Sequence, residues 1–289
     1  MFTIPRFATR RARSNGSVNF TSRNGPIELD HLRKLAPSIF AETPHSSRSD
    51  RYAYIPTSTV LDGLMKEGFQ PFAVMQGGTR DEEKRGFTKH LIRLRHQSQT
   101  VQVGGTHNEI LLMNSHDGTS SYRLSAGVFR LVCANGMVVA ESLIDDLRIS
   151  HKGDVQGLVI DGCIDLLDRL PEVSESVREM ESLQLSTAEQ RAFGIAALEL
   201  RYADKESPIS PTQVIAARRR EDAAGTLWQT LNVTQENIIR GGVSYVQEDQ
   251  QGRRQRRSTR EIHGIDQNTS LNRGLWRLAE EMKKIKAMA

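Results

Sequence analysis

The chain has 289 residues, enough for one large domain or two modest ones with a substantial buried core. Hydrophobic residues make up 37% and charged residues 26%, and the formal net charge of +4 is a mild basicity that fits an anionic partner without requiring one. No apolar run approaches the roughly 18 residues of a membrane span, and the N-terminal stretch MFTIPRFATRRARSN lacks the apolar segment of a secretory signal, so a cytoplasmic protein with no membrane partner is expected.

Residues 1–26 are rich in Arg, Ser, Asn and Gly and read as a flexible basic arm carrying Arg6, Arg10, Arg11 and Arg13. Residues 27–40 predict a short helix that ends before Pro37. In YIPTSTVLDGLMKEG, Thr57 or Ser58 suits the cap of a second helix, Val60, Leu61, Leu64 and Met65 form its apolar face, and Gly68 suits the position just past its end. FQPFAVMQ follows as a strand. HLIRLRHQ alternates strictly, which predicts a strand with His90, Ile92 and Leu94 on one face and Leu91, Arg93 and Arg95 on a second, basic face.

EILLMNSHDG reads as a strand entering a turn at Asp117-Gly118, and SSYRLSAGVFRLVCANGMVV as a long strand region with a second turn at Asn135-Gly136. DVQGLVIDGCIDLLDRL predicts an amphipathic helix with Leu158, Cys163, Ile164 and Leu167 among its apolar positions. Helical segments are then expected at about 172–182, 187–203, 211–222, 224–240 and 270–287, with Gly241-Gly242 ending the one that carries Trp228. Residues 243–269, centred on GRRQRRSTR, have no apolar periodicity and read as a mobile basic loop. The expected organisation is an arm (1–26), a core of mixed helix and antiparallel sheet (27–170) and a mostly helical region (171–289), an α+β fold.

Catalytic signatures are missing: there is no P-loop, no G-x-G-x-x-G, no G-x-S-x-G and no H-E-x-x-H, so no cofactor and no ATP use is expected. His45, His90, His116, Asp117 and His151 form the one enzyme-like set, with His116 and Asp117 as metal-ligand candidates. Their spacing matches no metal box. The plainer reading is that Asp117 closes its turn and His116 hydrogen-bonds a neighbour. Cys133 and Cys163 read as core thiols.

Basic residues are more numerous. Arg48, Arg51, Lys89, Arg93, Arg95, Arg123 and Arg130 fall in the strand-rich half, Arg218, Arg219 and Arg220 form a run, and Arg253, Arg254, Arg256, Arg257 and Arg260 fall in the loop. Such cations neutralise phosphates, and Tyr52, Tyr54, Tyr122 and Phe129 beside them offer rings on which bases stack. Against this, Asp and Glu total 35, so many of these cations can pair on an ordinary surface. The loop arginines have the fewest acidic neighbours.

Several runs carry a family likeness: HSSRSDRYAYIPTSTVLDGLMKEGFQPF, KHLIRLR, EILLMNSHDGTSSYRLSAGVFRLVCANGMVV, SHKGD and LWQTLNVTQENIIRGGV. Together they resemble domain-of-unknown-function family 932, in particular its short prophage and conjugative-plasmid members, over nearly all of the chain beyond the arm. The resemblance implies work on DNA within a mobile element. A weaker likeness, in the order of helix, paired strands, long strand and helix, is to the β-β-β-α core of Rad52-type single-strand annealing proteins. That likeness implies a homo-oligomer that binds single-stranded DNA without ATP.

The leading expectation is therefore a protein that binds or anneals single-stranded DNA. Its contacts would be Arg48, Arg51, Tyr52, Tyr54, Lys89, Arg93, Arg95, Arg123, Arg130, Arg253, Arg254, Arg256 and Arg257. The alternatives are an inhibitor that contacts a host defence or recombination protein, and a metal-dependent nuclease built on His116 and Asp117.

Overall fold

The computed structural model describes residues 17–22, 24–47, 54–99, 105–130, 135–138, 144, 146–151, 153–203 and 205–288. The N-terminal arginines, Arg48, Arg51, Tyr52 and Cys133 lie outside the described residues. The chain divides into two units: Met1–Gly136 with Ile144–Leu170, and Met137–Leu143 with Pro171–Ala289.

The first unit is built on an antiparallel meander. Its elements are β1 (Val18–Thr21), α1 (Leu29–Leu35), α2 (Thr57–Lys66), β2 (Phe69–Gln76), β3 (His90–His96), β4 (Thr106–Asn114), β5 (Tyr122–Arg130), the first two residues of β6 (Asn135–Val138), β7 (Leu147–Ile149) and the first part of α3 (Val155–Ser182). The sheet runs β1-β2-β3-β4-β5-β6, with β7 also pairing β5. The architecture is α+β.

Alternation decides which side chains reach which face. The register sets Ile92 opposite Val74 and Leu112, and Leu112 opposite Leu124. This face meets the helices: a methyl group on Gly162 of α3 would lie 2.9 Å from side-chain atoms of both Leu124 and Leu147. The Asn108 amide of β4 donates to the Leu170 carbonyl at 3.2 Å. One register shift interrupts the sheet, between Pro71 and Ala73 of β2. A proline has no amide for the ladder, so a bulge is where a strand tolerates it.

Several local expectations change. The hydroxyl of Thr57 does not cap α2: Pro56 holds the cap position and Thr57 begins the helix. Gly68 does sit just past the helix end, at φ +91. The 27–40 segment divides at Ala36 into α1 and a short 3-10 turn, Pro37–Phe40. Asn135 and Gly136 open β6 rather than forming a turn. In α3, Leu158 and Ile164 are exposed, and the buried stripe runs through Val155, Val159, Cys163, Leu166, Leu170, Val173, Val177 and Met180. That stripe repeats at three and four residues and passes Pro171 without interruption, so the helix does not restart at 172. Burial raises the pKa of the Cys163 thiol, as suits an inert core cysteine.

The second unit contains the rest of α3, then α4 (Thr187–Tyr202), α5 (Pro211–Val214), α6 (Leu227–Gln235), β8 (Ser244–Glu248), β9 (Arg254–Ser258) and α7 (Ile265–Met288). Three helices open with the same device. Ser186 and Glu189, Ser210 and Gln213, and Thr226 and Gln229 form reciprocal capping boxes that satisfy otherwise orphaned amides. Trp228 of α6 packs edge-on against Trp276 of α7, with centroids 6.3 Å apart. A π-helical turn, Glu236–Arg240, prolongs α6 until Gly241 and Gly242, both at positive φ, end it.

Arg218, Arg219 and Arg220 do not form a helical run, because α5 is only four residues long. Arg218 donates to Asn237 and the Gly241 carbonyl, while Arg219 bridges Asp222 and the buried Glu236. Residues 243–269 are not a loop. They form an antiparallel hairpin, β8–β9, followed by the start of α7.

Candidate functional site

The four histidines of the set come from separate strands and loops, and two of them, His90 and His116, meet through one hydroxyl. Thr57 Oγ1, fully buried at the start of α2, lies 3.0 Å from His90 Nε2, 3.1 Å from His116 Nε2, 3.1 Å from Asn114 Nδ2 and 3.3 Å from the Tyr122 hydroxyl. His151 Nε2 joins at second hand, donating to Asn114 Oδ1 at 3.2 Å. His45 receives the backbone of this cluster, its amide donating to the His116 carbonyl.

The protons follow from the partners. His90 Nδ1 faces the Thr88 carbonyl, which can only accept, and Ser38 Oγ, whose own proton goes to Gln76 Oε1 at 2.8 Å. Nδ1 therefore carries the hydrogen, and His90 Nε2 accepts from Thr57. His116 and Asn114 then donate to Thr57, so both lone pairs and the proton of its hydroxyl are in use. Both imidazoles are neutral at ordinary pH. Burial, with the neighbouring imidazole second, pushes His90 down to about 3, and burial followed by His151 pushes His116 down to about 4.

A hydroxyl bonded to an unprotonated imidazole is the arrangement of an activated nucleophile. Here the oxygen is saturated and buried, and a substrate atom has no place beside it. The cluster is a polar core joining α2 to β3, β4 and β5. The metal reading finds no support in the geometry. His116 faces Thr57, and Asp117 accepts from the amide and hydroxyl of Thr119, which hold its carboxyl below the usual range against the effect of burial. Among the described residues, no group of three or more His, Cys, Asp or Glu side chains is placed to hold a metal ion.

The opposite face of the sheet carries the arginines expected to meet phosphate, and they are turned onto a carboxylate. Arg93 Nε lies 2.6 Å from Glu109 Oε2 and Arg95 Nε 2.8 Å from Glu109 Oε1; the side chains are 10%, 12% and 1% exposed. Both guanidinium groups stack on rings. Arg93 lies 4.1 Å from the Phe129 centroid and Arg95 lies 4.2 Å from that of Phe72, the residue at the β2 register shift. The basic face of β3 is therefore turned onto Glu109 and the two rings, with Arg93 buried and Arg95 half-buried.

Other expected contacts are partly occupied. The Tyr54 hydroxyl donates to the Ala41 carbonyl and its ring packs on His116, Arg123 lies 4.0 Å from the buried Asp146, and Lys89 and Arg130 are half-buried.

The β8–β9 hairpin is the reverse case. Its register pairs Tyr245 with Arg257, Val246 with Arg256, Gln247 with Gln255 and Glu248 with Arg254. All of β9 is exposed, and Val246 is 64% exposed. Arg253 and Arg254 pair with Asp249 and Glu248, each at 3.0 Å. Among the described residues, Arg256 and Arg257 reach only neutral partners, Ser244 Oγ at 3.4 Å and Gln255 Oε1 at 3.2 Å. The base of the hairpin is fixed by Gln213, which donates to the Ser244 carbonyl at 2.9 Å, and by Thr259, whose amide donates to the Val243 carbonyl at 2.9 Å and whose hydroxyl accepts from the Val243 amide at 3.1 Å.

The family model described as a domain of unknown function (DUF932) matches residues 44–276. The chain belongs to this family. Two curated relatives from Escherichia coli (strain K12), UPF0380 protein YfjQ and UPF0380 protein YafZ, are each 42% identical over 274 residues, covering 95% of this chain and 98% of theirs. No solved structure matches the chain, and the likeness to Rad52-type annealing proteins is not shown. The DUF932 span includes the Thr57 cluster, the Arg93–Glu109–Arg95 group and the β8–β9 hairpin. No helix among the described residues is long and apolar enough to cross a membrane.

Sequence reasoning singled out the histidines but not Thr57 as their common partner, nor Glu109, Asn114 or Gln76. One signal was present: Glu109 and Asn114 flank an otherwise apolar strand, Ile110–Met113, and polar residues in such a position require partners.

Proposed function

We propose that this DUF932 protein binds nucleic acid and that the β8–β9 hairpin is its contact surface. The observation that carries the reading is the placement of Arg256 and Arg257, which lie on an exposed ribbon with no carboxylate partner among the described residues. Phosphate-directed affinity needs cations free to replace counterions, and these two meet that need. The mild net charge of +4 agrees with a local contact rather than a wholly basic surface.

The expectation of single-strand annealing rested largely on residues of the sheet. Arg93 and Arg95 share Glu109 in a buried group, and Arg48, Arg51 and Tyr52 lie outside the described residues, so the proposal rests on the ribbon. The experiment is fluorescence anisotropy of labelled single-stranded and duplex DNA, titrated with the full chain at two salt concentrations. The expected result is binding that weakens steeply with salt and is reduced by Arg256→Ala with Arg257→Ala. Absence of binding at low salt, or binding indifferent to salt, would overturn it.

A further inference from the structure

The hairpin has two chemically different faces, and their difference bears on which nucleic acid it fits. Directly paired residues in an antiparallel ribbon share a face, and faces alternate along each strand. One face therefore carries Ser244, Val246, Glu248, Arg254, Arg256 and Ser258; the contact of Arg256 with Ser244 agrees with this. The other carries Tyr245, Gln247, Gln255 and Arg257, and the Arg257 guanidinium donates to Gln255 on that side.

The second face holds no acid. Its long side chains are two glutamine amides and one guanidinium, the groups that pair in bidentate fashion with adenine and guanine edges in the major groove of duplex DNA. The major groove is also wide enough to admit a two-stranded ribbon. Five-residue strands extend about 17 Å, which matches about five base-pair steps of a duplex. The turn is closed tightly: Asp249 Oδ1 accepts from the amides of Gln251 and Arg253, and Gly252 holds φ +75. A ribbon closed by such a turn has less conformational freedom to lose on docking than an open loop of the same length. A single-strand surface needs aromatic platforms for successive bases, and this ribbon carries one ring, Tyr245.

We infer that the β8–β9 hairpin enters the major groove of duplex DNA with the exposed side chains of Gln247, Gln255 and Arg257 toward the base edges. Gln247, Gln255 and Arg257 read sequence, while Arg256 on the opposite face adds charge, Arg254 there being paired with Glu248. The inference rests on the nucleic-acid reading above and adds to it the duplex, the groove and the direct reading of bases.

The experiment is selection of bound molecules from a randomised duplex library by the full-length protein, followed by anisotropy on the selected duplex, a scrambled duplex and the corresponding single strand. The expected result is enrichment of a short motif of about five base pairs, with tighter binding of duplex than of single strand. Gln247→Ala with Gln255→Ala should then reduce the preference for selected over scrambled duplex by about tenfold or more while salt-sensitive binding of the scrambled duplex persists. Arg257→Lys keeps the charge but loses the bidentate fork, and should also relax the preference. Salt-sensitive binding without enrichment, or with single strands favoured, would overturn the groove inference and leave the nucleic-acid reading standing. No binding to any of the three probes at low salt would overturn both. Circular dichroism of each variant separates these outcomes from loss of the fold.

Discussion

Two strands of this molecule carry nearly the same local pattern and use it in opposite ways. In β3 the run Arg93-Leu94-Arg95 turns both arginines inward onto Glu109, with Phe129 and Phe72 against them. In β9 the run Arg254-Gln255-Arg256 leaves both arginines in solvent. The intervening residue and the opposing strand account for the difference. Leu94 is fully buried and its face packs into a core, so β3 is an interior strand with Glu109 of β4 within reach. β9 has no apolar residue and its single partner strand is itself exposed, so nothing draws its arginines inward. An arginine pair in a strand is thus a surface feature or a core feature according to what stands between and across from it.

The largest effect is expected where this comparison is most one-sided. Glu109→Ala removes the buried carboxylate shared by Arg93, which is buried, and Arg95, which is half-buried, and leaves like charges facing each other. Breaking a buried ion pair from one side costs about 3–5 kcal/mol, because the remaining charge is stranded. Both tryptophans, Trp228 and Trp276, lie in the second unit, so their fluorescence does not report on this site directly. Hydrogen exchange of the β3 and β4 amides does, and their protection should fall sharply. Unchanged protection would show that the arginines of β3 are as free as those of β9.

Thr57→Val comes next. The shape is kept, but His90, His116 and Asn114 lose their common partner in a fully buried place. With about 1–3 kcal/mol for each stranded group and some relaxation, a loss of about 2–4 kcal/mol is expected in the same exchange measurement. The two histidines also set a pH dependence. Their folded pKa values, about 3 and about 4, lie below the ordinary value of 6.5, so the unfolded chain binds more protons in between. Stability is fully present above about pH 6.5 and falls as pH drops through the range from 6.5 toward 3, by about 1.4 kcal/mol per pH unit for each histidine well inside that window. His90→Gln with His116→Gln should flatten that slope even if the variant is less stable at neutral pH.

The strands and most helices were legible because alternation and three-to-four spacing are local properties: β3, β4, β5 and α4 fall where their patterns place them. The phase of α3 was less legible. Leu158 and Ile164 are as apolar as Val155 and Val159, and only the packing of Gly162 against Leu124 and Leu147 decides which face is inward. The hairpin was not legible at all by hydrophobic pattern, since an exposed ribbon has no buried face to produce one. Its traces were the Asp249–Gly252 turn chemistry and the Tyr245-Val246 pair. The candidate site divided likewise. The arginines were visible as residue types, but their exposure depended on Glu109, which lies fourteen or more residues away in sequence.

The smallest effect on stability is expected at the ribbon, and it is the most informative for function. Arg256→Ala with Arg257→Ala removes two exposed side chains whose hydrogen bonds among the described residues are to Ser244 and Gln255, so thermal stability should change by no more than about 0.5 kcal/mol. If these residues meet phosphates or base edges, affinity for DNA should fall, and if both neutralise phosphates the slope of log K against log salt should become shallower by about 2. Arg93→Ala should do the opposite, lowering exchange protection in the sheet and leaving that slope unchanged. A variant of β3 that altered the salt slope without loss of protection would mean that the buried group opens to meet its ligand, and the division between an inward and an outward arginine pair would then hold only for the free protein.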